Sequence, residues 1–487
     1  MHQARIKTGL FYLISVLFVL LNTYFLVTKH SLIINALPLV LGIVLLAVFA
    51  YDKLLYLVVF FSPLSIPLAE VVPGLAIDMF LPTEPLLFGI LLIFILKTFA
   101  TGTYDRDILK HPVSLAIYLM LFWIFMTSLT STMPLVSFKF LLSRIWFIVG
   151  FYFLTAVLFK SGKNIEKYIW LYMLPLMIVI FYTIFRHFGY GLWDKQAAHF
   201  VMNPFYNDHT AYGAALAMYV PFLFGFSFTS IYSTKTRAFV QLVLVILLIA
   251  LILSYARAAW VSMVAAFGIW VIMRLKIRFK PIFLTALISI SVILVFQNQL
   301  LMYLERNDTE SSANLTEHIS SISNISSDAS NLERLNRWSC AIRMFEEKPI
   351  FGYGPGTYMF SYAPFQLTAD RTIISTNSAD GGNAHSEYLG PMAESGFMGL
   401  ITFLILIGVV IYTAIHAYSR TNDKRLKTIL MGALLGLISY YIHGILNNFL
   451  DSDKLSVPFW GFTAIIVAVD IYTRKLEEET TLPENQA

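Results

Sequence analysis

The chain has 487 residues, 58% of them hydrophobic and only 13% charged, with a mean hydropathy of +0.71. Soluble domains average about 45–50% apolar and about 25% charged residues, so there is too little polar surface here to enclose a water-soluble globule. The composition also excludes disorder, and the single cysteine, Cys340, excludes an intrachain disulfide framework or a cysteine-built zinc or iron–sulfur centre. A net charge of +5 is small and reads as orientation in a bilayer rather than nucleic-acid binding. The fold class that follows is an all-α integral membrane protein.

A spanning helix needs about 20 apolar residues because the hydrocarbon core is about 30 Å thick. Fourteen stretches qualify or nearly do, near 10–28, 32–50, 54–72, 85–100, 113–131, 145–160, 168–187, 210–231, 238–256, 258–273, 281–297, 397–416, 428–446 and 458–473. The shortest leave the expected count at about 12–14. The first stretch follows Arg5 and Lys7 but lacks a small-residue cleavage site, so it is read as a signal anchor. The third is broken by Pro63 and Pro67 and is expected to kink or re-enter.

With the N-terminus inside, the inner connections carry 21 of the 34 Lys and Arg residues, in groups such as Lys160, Lys163 and Lys167 or Arg420, Lys424, Arg425 and Lys427. Six of the remaining 13 lie in one long loop, which the positive-inside rule does not count. Both termini are therefore expected on the cytoplasmic side. The domain reading is membrane helices over 1–297, a large extracytoplasmic loop over 298–396, further membrane helices over 397–473 and a cytoplasmic tail over 474–487.

Loops beyond about 15 residues are usually functional or disordered. From Asn307 to Asn331 this one is polar and aperiodic, a flexible excursion by composition. From Leu332 it is organised: Leu335, Trp338, Ile342 and Phe345 recur at helical spacing up to Pro349, a glycine-rich turn "FGYGPGTYMF" follows, and "NAHSEYLGPMAESGFMGL" returns to the membrane. The spans themselves hold few ionisable residues (Glu70, Asp78, Glu84, His443), which places any chemistry at the outer boundary rather than along a transport path.

Arg257, in "LSYARAAWVS", falls where two apolar spans meet at the outer face. A guanidinium there can donate forked hydrogen bonds to phosphate oxygens, or it can snorkel to lipid headgroups. Arg334, Arg337 and Arg343 form a basic helix face, and Trp338 is four residues from Arg334, within stacking reach. A solvated surface helix explains the same charges equally well. Gly352, Gly354 and Gly356 are not followed by Lys-Ser/Thr, so they form a turn rather than a nucleotide loop. His385 is the best acid/base candidate, with an ordinary pKa of about 6.5, though a lone histidine is more often structural. His199, Asn203, Asp208 and His209 form a secondary polar group, in which Asn203-Pro204 reads first as turn chemistry. No cluster of histidines and carboxylates has metal-ligand spacing, so neither metal nor cofactor is expected.

Taken in order, "MNPFYNDHTAYGAALAM", "SYARAAW", "ERLNRWSCAIRMFEEKPIFGYGPGTYMF" and "NAHSEYLGPMAESGFMGL" resemble the O-antigen ligase/polymerase superfamily of bacterial membrane glycosyltransferases over roughly residues 200–450. The resemblance implies transfer of a glycan from an undecaprenyl-pyrophosphate carrier to an acceptor hydroxyl at the periplasmic face of the inner membrane, without nucleotide sugar and, for the ligases, without metal. It implies Arg257 and Arg334 as holders of the pyrophosphate and His385 as the base. Arg337, Trp338, Tyr388, Asn203 and His209 are expected around the substrates. The acceptor is open among lipid A core, a growing glycan and protein; this chain has His-Ser where many relatives have His-Asn. A polymerase or protein O-oligosaccharyltransferase is the alternative within the superfamily. A lipid-linked sugar flippase is the alternative outside it, but would call for charges in mid-span and two half-repeats.

Overall fold

The computed structural model describes residues 2–29, 33–71, 79–101, 105–275, 329–367, 375 and 382–481. The expected span at 281–297 and the polar stretch up to residue 328 lie outside these. Among the described residues the protein is helical apart from one two-residue antiparallel pair, Ile66–Pro67 with Phe80–Leu81.

The long helices are α1 (His2–Lys29), α2 (Ala36–Phe49), α3 (Tyr51–Phe61), α4 (Thr83–Thr101), α5 (Pro112–Leu129), α6 (Pro134–Ile148), α7 (Ile165–Tyr190), α8 (His209–Phe228), α9 (Thr234–Leu253), α10 (Arg257–Arg274), α11 (Ala329–Glu347), α12 (Leu389–Arg420), α13 (Lys424–Leu446) and α14 (Asp453–Thr481). Ten helices among the described residues are long and apolar enough to cross a membrane. The expected stretch near 145–160 belongs to one of these, Pro134–Phe159, which continues α6 through a π-helical segment at Val149–Leu154. Near Pro63 and Pro67 the chain does break: α3 ends at Phe61, a 3₁₀ turn follows at Ser62–Leu64, and the chain turns into the short strand pair. Proline lacks the amide that would continue the helix, so the sequence's own punctuation sets this boundary.

The two ends of the bundle differ in chemistry. At one end, Lys160 reaches Asp105 at 2.5 Å, Lys475 reaches Asp107 at 2.7 Å and Arg425 reaches Glu166 at 2.5 Å, while Asp470 gathers His111, Arg420 and Arg474. These include the basic groups that the positive-inside reading assigns to one side. At the other end lie the N-termini of α8, α10, α12 and α14, the C-terminus of α13 and the organised half of the long loop.

Helices α8, α10 and α13 pack closely because small residues face each other. A Cβ on Gly436 would stand 2.6 Å from the Met218 carbonyl, and one on Gly432 would stand 2.5 Å from the Phe222 ring. The Gly432–Gly436 spacing is the small-xxx-small device by which membrane helices approach. Ser262 of α10 meets Ser439 of α13 at 3.0 Å between hydroxyls. Gly213, one turn into α8, admits the turn between α9 and α10: its Cβ would lie 2.4 Å from that of Ala256.

The loop has a small core of its own, built from Cys340, Ala341, Met344, Tyr353, Tyr358, Tyr362, Ala384 and Ala393. The helix expected up to Pro349 is α11. The buried face of α11 is Glu333, Asn336, Arg337, Cys340, Ala341 and Met344, whereas Ile342 is 43% exposed and Leu335, Trp338 and Phe345 are only part-buried. Small side chains let the helix approach the stacked Tyr358 and Tyr362 rings, so fit rather than hydropathy selected the face.

Candidate active site

At the loop end, three helix termini bring together residues that are remote in sequence. Asp208 caps α8, its carboxylate accepting the Thr210 amide at 2.7 Å. His209, the first residue of α8, meets Asp208 at 3.2 Å and packs against His199 with ring centroids 4.1 Å apart. Thr210 lies 3.5 Å from the Asn447 side-chain oxygen, and the Asn447 amide meets His443 Nε2 at 3.2 Å. His443 is itself buried, on the last turn of α13. Arg257 is the first residue of α10, half-buried, on a helix start whose N-cap, Ala256, offers no capping side chain. Such a start presents the positive end of the helix dipole beside a cation, a setting that favours an anion.

The loop closes over this group. Arg334 is half-buried on α11. The indole of Trp338 donates to the His385 carbonyl at 3.4 Å. His385 has a left-handed backbone, φ 48°, and its N–H donates to the Asn383 side chain at 3.0 Å. A non-glycine residue there is uncommon and is retained only where the surroundings enforce it. Burial, and then the charges of Arg334 and Arg337, push the His385 imidazole down to about 4, with Asp208 and Glu333 acting in the opposite direction. Asp208 and Arg334 also act on His443. Arg334, His385, Asp208 and His443 therefore share one electrostatic neighbourhood. Burial works to raise the Asp208 carboxyl, but His209 and Thr210 outweigh it and hold it well below the usual carboxylate range.

The structure gives the remaining expected residues the following partners. Arg337 is buried, bound to Glu333 at 2.6 Å and set over the Tyr362 ring at 3.9 Å, so its guanidinium is held within the loop core. Tyr388 donates to the Tyr441 carbonyl at 2.8 Å and anchors the returning segment to α13. The Asn203 carbonyl accepts from Tyr182 at 2.9 Å and also from Arg186, while its side chain is exposed, the arrangement of a turn. The glycine-rich turn serves the fold too: Gly352, Gly354 and Gly356 all have positive φ, and the Gly354 N–H donates to the Glu394 carbonyl at 2.8 Å. Its backbone approaches α12, where a Cβ on Gly352 would stand 2.3 Å from the Glu394 backbone.

Glu387, which the sequence analysis does not single out, ties the returning loop to α13 and to the turn after it. A single oxygen of buried Glu387 accepts from the Tyr440 hydroxyl at 2.6 Å and from the amides of Phe449 and Leu450 at 2.8 and 2.9 Å. The Glu387 N–H donates to the Gly444 carbonyl at 2.8 Å. Arg144 fixes the same turn from outside, through the Leu450 carbonyl at 3.1 Å and Asp451 at 2.7 Å. Nothing in the local sequence signals these partners, which lie more than fifty residues away. Among the described residues no group of three His, Cys, Asp or Glu side chains is placed to hold a metal ion.

Comparison with known proteins bears on this arrangement. Residues 242–404 match the family model described as O-antigen ligase. The match covers Arg257, Arg334, Arg337, Trp338, His385 and Tyr388, and it bears out the resemblance read from the motifs. An uncharacterized protein of Haemophilus influenzae is 21% identical over 246 residues, which cover 47% of this chain and 56% of that relative. The chain thus spans about half the length of the relative it matches. The protein is an all-α, multi-pass membrane protein whose residues 242–404 are similar to the O-antigen ligase family.

Proposed function

From the O-antigen ligase match over residues 242–404, we propose that the protein is a glycosyltransferase that moves a glycan from an undecaprenyl-pyrophosphate carrier to an acceptor hydroxyl at the periplasmic face of the inner membrane. The observation that carries this reading is the mutual electrostatic influence of Arg334, His385 and Asp208 at the end of the bundle where α10 starts with Arg257. An isoprenoid tail requires contact with lipid and a sugar requires water, so a site at helix ends under a polar loop suits the donor.

In the reaction the bond between the sugar C1 and the pyrophosphate oxygen breaks, and its electron pair leaves with the pyrophosphate. Arg257 and Arg334 neutralise that developing charge, which is where positioned donors contribute most. The acceptor oxygen bonds to C1, and its proton passes to His385. An imidazole held down to about 4 is neutral at physiological pH and therefore open to a proton, though weakly basic. A pyrophosphate bound against Arg334 would cancel part of the field that lowers it. The base thereby becomes stronger when donor is in place, and the empty site has little drive to deprotonate an acceptor.

The test is transfer by purified protein from a synthetic undecaprenyl-pyrophosphate glycan to candidate acceptors, followed by mass spectrometry. We expect product with wild type and none with His385→Ala, which should still bind donor. Near-normal turnover by His385→Ala, or no transfer to lipid A core, glycan or protein acceptors, would overturn the reading.

A further inference from the structure

At the end of the bundle opposite His385, helices α8, α9, α10 and α13 part around a groove of about 820 Å³. That is the size range of small-molecule and cofactor sites, about 300–1,000 Å³. Its walls are apolar and aromatic: Phe224 meets Trp270 edge-on at 5.8 Å, and Phe267 stacks on Trp270 at 5.4 Å. Phe267 is 56% and Val264 70% exposed, so the groove opens sideways on the flank that faces lipid chains. Its other end is basic. Arg274 at the end of α10 and Lys424 and Lys427 at the start of α13 all line it.

These charges differ from their neighbours in what they serve. Arg425 turns away to Glu166 and the Gly162 carbonyl, at 2.8 and 3.1 Å. The acid nearest in sequence, Asp423, spends its carboxylate on the amides of Arg425 and Leu426 at the start of α13. Lys427 is set over the Tyr418 ring at 5.5 Å, which holds its ammonium at the mouth. The groove therefore combines a lipid-facing apolar trough with a cluster of three cations at the level of the headgroups.

We propose that this groove binds an anionic phospholipid of the leaflet opposite the active site, its phosphate at Arg274, Lys424 and Lys427 and one acyl chain along Phe224, Phe267 and Trp270. Basic pockets between membrane helices select anionic headgroups by charge, and the trough adds apolar contact that a free phosphate could not use. The site is separate from glycan transfer, and its occupancy is measurable without donor or acceptor.

The experiment is native mass spectrometry of the full chain in detergent with added dioleoyl phosphatidylglycerol or dioleoyl phosphatidylcholine. Phosphatidylglycerol should be retained at least about tenfold better, and the combined Arg274→Gln, Lys424→Gln, Lys427→Gln variant should lose that preference. A second readout does not depend on this variant folding: brominated phosphatidylglycerol should quench wild-type fluorescence more than that of Trp270→Phe. Equal retention of the two lipids, an unchanged preference in the triple variant, or equal quenching would overturn the proposal. So would a spontaneous disulfide between Val264→Cys and Leu287→Cys, since the stretch 281–297 would then fill the groove itself.

Discussion

The indole N–H of Trp338 donates to the main-chain carbonyl of His385 at 3.4 Å, joining the helix that carries Arg334 to a residue of the returning loop with a left-handed backbone. The bond links the expected charge holder to the expected base without either side chain taking part. A neutral hydrogen bond of this kind contributes about 1 kcal/mol. Trp338→Phe, which keeps the ring and removes the donor, should therefore lower kcat roughly fivefold and leave donor KM nearly unchanged. His385→Ala should cost about 10²–10⁴ in rate. Steady-state kinetics of the two variants separate positioning from proton transfer.

The pH dependence follows from the lowered His385 imidazole. Its folded pKa, about 4, lies below its ordinary value of 6.5. Between those values the unfolded chain binds the proton and the folded chain does not, so stability falls as pH drops from about 6.5 to about 4. Above that window the residue contributes no pH dependence. The acid limb of kcat/KM for the free enzyme should fall near pH 4 rather than 6.5. In Arg334→Gln, which removes one of the charges lowering the imidazole, that limb should move upward. A limb fixed near 6.5 in both proteins would contradict the electrostatic account.

Arg257 and Arg334 should not tolerate lysine. Lysine keeps the charge but loses the planar fork that matches two phosphate oxygens. Removing one donor aimed at developing charge typically costs about 10²–10³ in kcat. Arg257→Lys and Arg334→Lys should fall most of the way to their alanine counterparts in single-turnover transfer, whereas Arg343→Lys, whose Nε donates to the Phe365 carbonyl at 2.7 Å, should retain glycan transfer.

Two glycines give a packing test. A Cβ on Gly213 would sit 2.4 Å from that of Ala256, while one on Gly268 meets nothing within 4 Å. Gly213→Ala should therefore push the start of α10 away from α8, cost about 1–3 kcal/mol in thermal unfolding and reduce transfer. Gly268→Ala should be neutral or stabilising by up to about 1 kcal/mol.

The orientation is checked with cysteines in a Cys340→Ala background. An impermeant reagent added outside intact cells should label Glu346→Cys, exposed on α11, and spare Lys424→Cys, exposed at the opposite end. The reverse pattern would invert the topology.

The sequence by itself determined the membrane class, because hydropathy over about 20 residues is a local property and the bilayer reads it locally. It also determined the break at Pro63, where a missing amide acts at its own position, and the family resemblance, whose motifs keep their order along the chain. Tertiary structure decided which residues meet. Asp208, Arg334, His385 and His443 are scattered over more than two hundred positions yet act on one another electrostatically, while Gly213, Gly432 and Gly436 let α8, α10 and α13 pack closely. It also decided that Arg337 is held by Glu333 and Tyr362, and that Glu387 bonds Tyr440 of α13. On α11 the spacing of Leu335, Trp338, Ile342 and Phe345 gave the helix, while only the tertiary structure placed Cys340, Ala341 and Met344 on its buried face against stacked tyrosines. Burial at a water–lipid boundary follows complementarity of shape, because apolar side chains there have lipid as a second favourable environment, and which surface a helix meets is not written in its own residues.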